Sequence, residues 1–449
     1  MLREQPNMIP TTYRGLETMR GEGLQKTVLM ITYPYYPANA SGAHRPVAFS
    51  KYLPLYGWTP VVVCKAYTSK GDPQTYDLAL AATRDVCEVV RVHSIQGRFG
   101  KRLQDYAWGL LGGGRNDYRN PFVLYVRMKQ VAEQIIRRRQ VDALWSTFSP
   151  GLDHAIASYL SRRYNVPWIA DFRDLPDQSW QNRNTRHIVQ QEKRVCLHAK
   201  AVVGSTEDLS AKLRQRHRAP VYTILNGFDP DDYADKKRHP ELDQRFTINH
   251  FGVLHSYRNP AVLFQALDTL AERGVIDLTD IQIGFYGEHA GTVSTFAQGY
   301  RCVSQVKIPD RLDYHAMIAR QRSSQVLLLI TGHQQGGAIP AKLYGYLASQ
   351  RPVLNVPGDG RGSDRILRET GAGISSDKPA CVAAWLESAY HAWKNTGRVP
   401  FRGKASAIEK YSRKIQTRQL ATILDEVCGQ TDIPLDWVHT ASERGLCRR

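Results

Sequence analysis

Residues 28–64 read VLMITYPYYPANASGAHRPVAFSKYLPLYGWTPVVVC. Val28–Tyr33 is an unbroken apolar run of strand length, too short for a helix and too apolar for a half-exposed strand. Proline, glycine and small residues follow, and they form a loop. Arg45–Leu55 then has the spacing of an amphipathic helix, and Gly57 ends it. Pro60–Cys64 is a second buried strand. A strand, a crossover helix and a second strand, with both strands apolar throughout, predict a parallel βαβ unit whose sheet is covered on both faces.

The alternation continues in both directions along the chain. Val86–Val92 is a third strand, Ala143–Trp145 and Trp168–Ala170 flank a helix over Asp153–Arg163, and Ala201–Val203 and Val221–Leu225 complete a first set. Residues 227–245 are polar, hold two prolines and lack an apolar period, which predicts a linker. A second set follows: strands at Phe246–Phe251, Ile281–Tyr286, Val326–Ile330 and Val353–Val356, with helices at Pro260–Arg273, Pro379–Lys394 and Ser406–Val427. The expected fold class is α/β, two Rossmann-like doubly wound domains facing a central cleft. The expected divisions are a polar extension (1–25), an N-terminal domain (26–226), the linker, a C-terminal domain (246–405), a last helix (406–428) and a tail (429–449). In such sheets ligands sit outside the carboxyl ends of the strands, so both units turn that edge to the cleft.

Composition narrows the classes of partner. Of 449 residues, 42% are hydrophobic and 23% charged, which excludes a wholly disordered chain. No apolar run of about 18 residues occurs, and the first 25 residues lack an apolar block, so a cytoplasmic protein is expected. Lysine plus arginine (60) outnumber aspartate plus glutamate (42), for a net charge of +18, which favours anionic partners. The seven cysteines never form C-x-x-C, as suits reduced structural thiols with no zinc site. Residues 101–140 hold nine basic groups against three acidic ones, interleaved with Tyr106, Trp108, Phe122 and Tyr125. That mixture suits an anionic membrane surface; a solvated helix face would look the same. No nucleic-acid-binding motif accompanies it, and nucleic acid is not an expected partner.

Several loops carry candidate chemistry. Ser41–Arg45 opens the first helix with small residues, so a ligand could approach backbone N–H groups; a plain strand-to-helix turn would use the same residues. Asp171-Phe172-Arg173-Asp174 puts three charges at a strand's carboxyl end, facing a ligand or closed into an internal salt bridge. Arg258, just ahead of Pro260, would lie at the cleft and could grip phosphate oxygens. Lys342 stands in the first turn of a helix, where a cation opposes the helix dipole unless an anion is bound. Pro357–Asp364 joins a strand to a helix through three glycines, with Ser363 or Asp364 as cap.

Together these segments resemble glycosyltransferases of the GT-B fold, in particular the retaining family 4-like group that builds bacterial surface polysaccharides. The resemblance spans roughly residues 26–428. It rests on VLMITYPYYP, on GAHRPVAFSKYLPLYGWTPVVV, on STFSPGLDHAIASYLSRRYNVPWIADFRDL (146–175), and on VVGSTEDLSAKL and ILNGFD. In the second half it rests on FGVLHSYRNP (251–260) and IPAKLYGYLASQRPVL (339–354). The resemblance implies transfer of a sugar from a nucleotide-diphosphate donor on the C-terminal domain to a glycan or lipid-linked acceptor on the N-terminal one, in polysaccharide assembly at the inner face of the membrane. It implies no cofactor and no metal. Carried over by position, Gly252, Arg258, Lys342, Ser363 and Asp364 bind the donor. Gly42, Arg45, Asp171 and Arg173 bind the acceptor, and His154 stands catalytically near the reacting sugar. The chain departs from the pattern at two points. Gly337 and Gly345 replace the two glutamates that in this group contact the donor sugar and the ribose, so a catalytically silent glycan- or partner-binding relative is the alternative. On this reading, Gly345→Glu is expected to strengthen the ribose contact.

Overall fold

The computed structural model describes residues 26–38, 40–67, 87–93, 122–149, 151–177, 185–234, 240–254, 258–288, 291–310, 312–332 and 339–429. The N-terminal extension, most of the tail, residues 101–121 of the basic stretch and Gly337 lie outside the described residues.

The first sheet has seven parallel strands: β1 (Lys26–Thr32), β2 (Trp58–Lys65), β3 (Glu88–Val92), β4 (Ala143–Phe148), β5 (Trp168–Phe172), β6 (Ala201–Gly204) and β7 (Val221–Thr223). Their spatial order is β3-β2-β1-β4-β5-β6-β7. The second sheet has six parallel strands: β8 (Phe246–Phe251), β9 (Ile281–Tyr286), β10 (Val306–Lys307), β11 (Val326–Leu329), β12 (Val353–Asn355) and β13 (Gly373–Ser375), in the order β10-β9-β8-β11-β12-β13. Both sheets run outward from their first strand in one direction and then reverse, which is the doubly wound pattern. The reversals fall between β1 and β4 and between β8 and β11. Loops diverge there to opposite faces and leave a crevice.

The helices used below are α1 (His44–Tyr52), α2 (Phe122–Arg138), α3 (Leu152–Tyr164), α4 (Glu207–Arg216), α5 (Ala261–Glu272), α6 (Tyr314–Ser323), α7 (Lys342–Ala348), α8 (Gly362–Thr370), α9 (Pro379–Thr396) and α10 (Arg413–Val427). Apolar strands bury side chains on both faces, so each domain has two core layers. In the first, Leu29, Leu144 and Trp168 meet α2 and α3 on one face, while Met30, Trp145 and Val203 meet α1 and α10 on the other. In the second, Ile248 and Ile283 meet α5 and α9, and Leu327 and Leu329 meet α7 and α8.

Two elements are too short or too polar to announce themselves in the sequence. β10 and β13 are two and three residues long, edge strands with little apolar content. The segment read as one helix from Ser406 is interrupted. A short helix ends at Glu409, Tyr411 and Ser412 follow, and Ser412 caps α10 by accepting from the Ile415 N–H at 3.3 Å. The break lets Ser412 form a strand-like bridge with Phe228. From there α10 returns to the first domain, where Leu420, Ala421, Ile423 and Leu424 are buried beside Trp58 and Tyr222.

The polar segment after Gly227 is tied to both domains. Asp229 accepts from Lys51 Nζ at 2.8 Å and from the Tyr52 hydroxyl at 2.5 Å, both on α1. Asp232 accepts from the Tyr314 hydroxyl of α6 at 2.7 Å. Residues beyond the carboxyl ends of both sheets also meet directly. The His44 ring stacks on Tyr314 at 5.9 Å, and Arg361 pairs with Asp208 of α4 at 3.3 Å.

Candidate functional site

At the reversal point of the second sheet, β8 runs out into Gly252 and β9 into Gly287. Gly252 has φ +101° and Gly287 has φ +143°, conformations that favour glycine. A Cβ on Gly287 would stand 2.6 Å from the Gly252 carbonyl oxygen, so only hydrogen lets the two turns touch. A Cβ on Gly252 would lie 3.1 Å from Lys342 Nζ. The lysine therefore crosses the face of this turn, although α7 follows β11 in sequence.

The Lys342 ammonium lies 3.1 Å from His250 Nε2. His250 is a β8 residue, 1% exposed, and its Nδ1 is 3.0 Å from the Leu328 carbonyl oxygen of β11. A carbonyl only accepts, so Nδ1 carries the ring proton and Nε2 presents a lone pair to the lysine. Burial and the neighbouring Lys342 and Arg258 charges push the imidazole well below its usual range, so it is neutral. Lys342 is shifted too. Burial and the Arg258 charge lower it from 10.5 to about 7. Burial and the like charge of Arg258 both disfavour the Lys342 ammonium, and a concentrated negative charge at this crevice would relieve both. The sequence reading had singled out Gly252, Arg258 and Lys342 and missed His250. The available signal was polar Asn249-His250 inside an otherwise apolar buried strand.

The loop before α8 is organised from within. Asp359 accepts from the backbone N–H groups of Arg361 (2.8 Å), Ser363 (3.0 Å) and Asp364 (3.3 Å), so the first turn of α8 already has an anion of its own. Asp364 accepts from Gly360 N at 2.9 Å, from Asn355 Nδ2 at 3.2 Å and from the Ser375 hydroxyl. Asp364 thus braces the loop, and Ser363 is fully buried. Asp364 is occupied within the loop, whereas the Ser363 hydroxyl is buried without a hydrogen-bond partner.

On the first domain the expected acceptor residues part company. Arg45 and Asp171 are 1% and 0% exposed and form a two-pronged ion pair, with Nη2–Oδ1 2.7 Å and Nε–Oδ2 3.0 Å. Thr147 Oγ1 donates to Asp171 at 2.9 Å, and Arg45 Nη1 donates to the Leu225 carbonyl oxygen at 3.0 Å. This is the internal salt bridge, because Asp171 lies inside β5 rather than beyond its end, and both groups are occupied with each other. Arg173 lies at the strand's end. It donates to the Phe148 and Ser149 carbonyl oxygens at 3.0 and 2.6 Å, and its guanidinium covers Gly42, where a Cβ would meet Nη1 at 1.8 Å. Gly42 and Arg173 are therefore brought together at the β1/β4 reversal.

The structure places His154 below the surface, with its Nε2 buried and without a hydrogen-bond partner. The residue is 3% exposed, its ring enclosed by Phe148, Trp168 and Phe172. Ser146 Oγ, which accepts from Trp168 Nε1 at 2.9 Å, stands 2.8 Å from His154 Nδ1. Burial is the main reason its pKa falls to about 3, with His217 and Arg173 adding to it. It stands in the first turn of α3 with its ring among these aromatic side chains.

Position 345 likewise differs from expectation. A Cβ there would lie 3.0 Å from the Tyr233 hydroxyl and 3.6 Å from Gln321 Oε1. Glycine at 345 makes room for a tyrosine from the segment between the domains, so a glutamate side chain would meet protein where a ribose contact was expected.

The arrangement of strands and crevices recurs in solved structures. A glycosyltransferase from Rickettsia africae superposes with a TM-score of 0.60 at 14% identity, over 91% of this chain and all of that one. HepE from Anabaena, solved in complex with UDP and glucose, gives 0.60 at 14% identity over 89% of this chain and all of that one. Sucrose-phosphate synthase from Thermosynechococcus elongatus gives 0.58 at 11% identity over 90% and all of its chain. The fold is GT-B. No protein-family model and no curated protein matches the chain by sequence. At these identities the GT-B likeness establishes architecture, and the chemistry must be argued from the residues. Among the described residues, no helix is long and apolar enough to cross a membrane.

Proposed function

We propose that this GT-B chain is a glycosyltransferase that moves a sugar from a nucleotide-diphosphate donor to a glycan or lipid-linked acceptor, with retention of configuration. The observation that carries the reading is Lys342, laid over the Gly252 turn at the β8/β11 reversal with the Arg258 charge close enough to act on it. A diphosphate is the ligand such a pair suits: compact, doubly anionic and in need of two cations. Solved structures of the same fold support it, one of them a complex with UDP and glucose. In the transfer, the bond between the anomeric carbon and the diphosphate oxygen breaks and the acceptor oxygen bonds to that carbon on the same face. The acceptor's proton passes to the departing diphosphate. Lys342 and Arg258 stabilise the charge that grows on the leaving group, a service protein cations can supply without a resident metal. We assign the acceptor side to the Gly42–Arg173 end of the first sheet, at its β1/β4 reversal. Docking on an anionic membrane through residues 101–140 belongs to the same reading, and acceptor glycans attached to lipids would require it.

The Tyr233 hydroxyl over Gly345 favours a second reading, a catalytically silent relative that binds a glycan or a partner and does not turn over. Thermal shift with UDP, GDP, ADP and TDP, each with and without its sugar, separates the two. A ligand at about 100 times its dissociation constant should stabilise the fold by roughly 2.7 kcal/mol. A shift with one base followed by release of free nucleotide in the presence of acceptor is the expected result. A shift without turnover against a broad acceptor panel selects the second reading, and no shift with any nucleotide rejects the donor site and turns the search to glycans and partners. Co-sedimentation with anionic against neutral vesicles tests the membrane component, since equal recovery on both would remove the electrostatic contribution.

A further inference from the structure

His250 lies one strand-width beneath the crevice and is too buried to touch a ligand, yet it is the hydrogen-bonding partner of the lysine that does face it. Its other nitrogen is anchored on Leu328, so the ring bridges the two strands, β8 and β11, that define the reversal point. We propose that His250 is the positioning residue of the donor site: a neutral acceptor that holds the Lys342 ammonium over the Gly252 turn while leaving its charge whole for a diphosphate. This inference rests on the donor-site reading above.

The physical argument turns on the kind of acceptor. A long lysine side chain loses rotamer freedom when fixed, so a loose lysine binds phosphate weakly and a pre-placed one binds it better. A carboxylate would place it as firmly, but would cancel its charge and compete with the incoming anion. An imidazole fixed as the Nδ1–H form places the ammonium with a lone pair alone. One of the three ammonium hydrogens goes to His250, and two remain for phosphate oxygens. Gly252 completes the device, because any side chain there would stand in the lysine's path. The groups around the ammonium are consistent with this. Arg258 is a like charge, Tyr346 on α7 is a buried phenol whose hydroxyl takes the Phe251 N–H at 2.9 Å, and Glu288 follows Gly287 at the rim.

Two measurements test it. The first needs no ligand: 15N spectra of histidine-labelled protein, wild type and Lys342→Ala. His250 is expected as the neutral Nδ1–H tautomer, with its Nε2 resonance moved by Lys342→Ala. An Nε2–H tautomer, or a resonance indifferent to the substitution, overturns the proposal. The second is calorimetric titration with UDP, and with inorganic pyrophosphate as the minimal probe, of His250→Leu, His250→Gln and His250→Glu. His250→Leu is expected to weaken binding about ten-fold, the worth of one hydrogen bond to a charged group. His250→Gln, a neutral acceptor, is expected to return affinity to within about three-fold of wild type, whereas His250→Glu is not, because it neutralises the lysine it holds. Melting curves of each variant show whether the strand is intact. A merely structural histidine would make Gln and Glu differ in stability and leave affinity alone, and equal affinities across folded variants overturn the proposal. Wild-type protein that binds neither probe overturns the donor-site reading and with it the purpose given to the clamp; the spectra report the clamp separately.

Discussion

Lys342 and Arg258 are the residues on which the nucleotide reading turns, and their charges make it testable. Lys342→Ala and Arg258→Ala are each expected to weaken nucleoside-diphosphate binding by about ten- to a hundred-fold with the fold unchanged, as charge-assisted contacts of roughly 1.5–3 kcal/mol imply. Unaltered titrations for both would remove the donor site from this crevice. The pH dependence follows from the lowered pKa of Lys342. Held near 7 in the free protein, mainly by burial and then by Arg258, the lysine is charged below that pH and loses its proton above it. Affinity for UDP-glucose, whose diphosphate keeps one charge state from about pH 6 to about pH 9, is therefore expected to be level in acid and to fall as pH rises through 7. A flat profile would show that the ammonium is not used. At position 345 the expectation drawn from resemblance is reversed. The added side chain of Gly345→Glu would press on Tyr233, so a lower melting temperature and no gain in nucleotide affinity are expected. Calorimetry on the purified variant decides it.

The element scale explains why neighbouring motifs of similar appearance ended in different roles. β5 runs two residues past its apolar core WIA at the carboxyl end, which draws Asp171 into the sheet and against Arg45 of α1. Removing one partner leaves a buried charge unanswered. Arg45→Met or Asp171→Asn is expected to destabilise the fold by about 3–5 kcal/mol, whereas the pair replaced together by apolar residues of similar volume should lose much less. Chemical denaturation of the two single variants and the double variant measures the difference, and additive losses would contradict a closed pair. The same reasoning separates the two loops of the second domain. Before α8 the chain supplies its own carboxylate, Asp359, to the helix N–H groups. At the Gly252 turn it supplies a lysine whose ammonium lies against the neutral ring of His250.

At the scale of the whole molecule, the domains are joined more firmly than a linker implies. Phe228 bridges to Ser412, Asp229 reaches α1, Asp232 reaches α6, and α10 is built into the core of the first domain although it belongs to the end of the chain. Folding of the N-terminal unit is thus expected to depend on residues some 200 positions downstream of it. Leu424→Ala, a fully buried position on α10, should cost about 2–5 kcal/mol. The loss should appear in the unfolding of the first domain, followed by fluorescence of Trp58 and Trp145. A loss confined to the second domain would contradict the packing.

What the sequence by itself determined was the alternation. Strand-length runs that are apolar throughout can be satisfied only by a sheet covered on both faces, and the helix-length stretches between them suit parallel crossover connections. That reasoning also reached Gly252, Arg258 and Lys342, because cations and glycines at strand ends stand out against an apolar background. Only the tertiary structure decided which charges were already answered. Asp171 and Arg45 lie 126 positions apart, His250 and Lys342 lie 92 apart, and Gly345 meets a tyrosine from another segment altogether. Whether a charge is free or paired is a property of the distance between groups, and sequence separation carries no information about that distance.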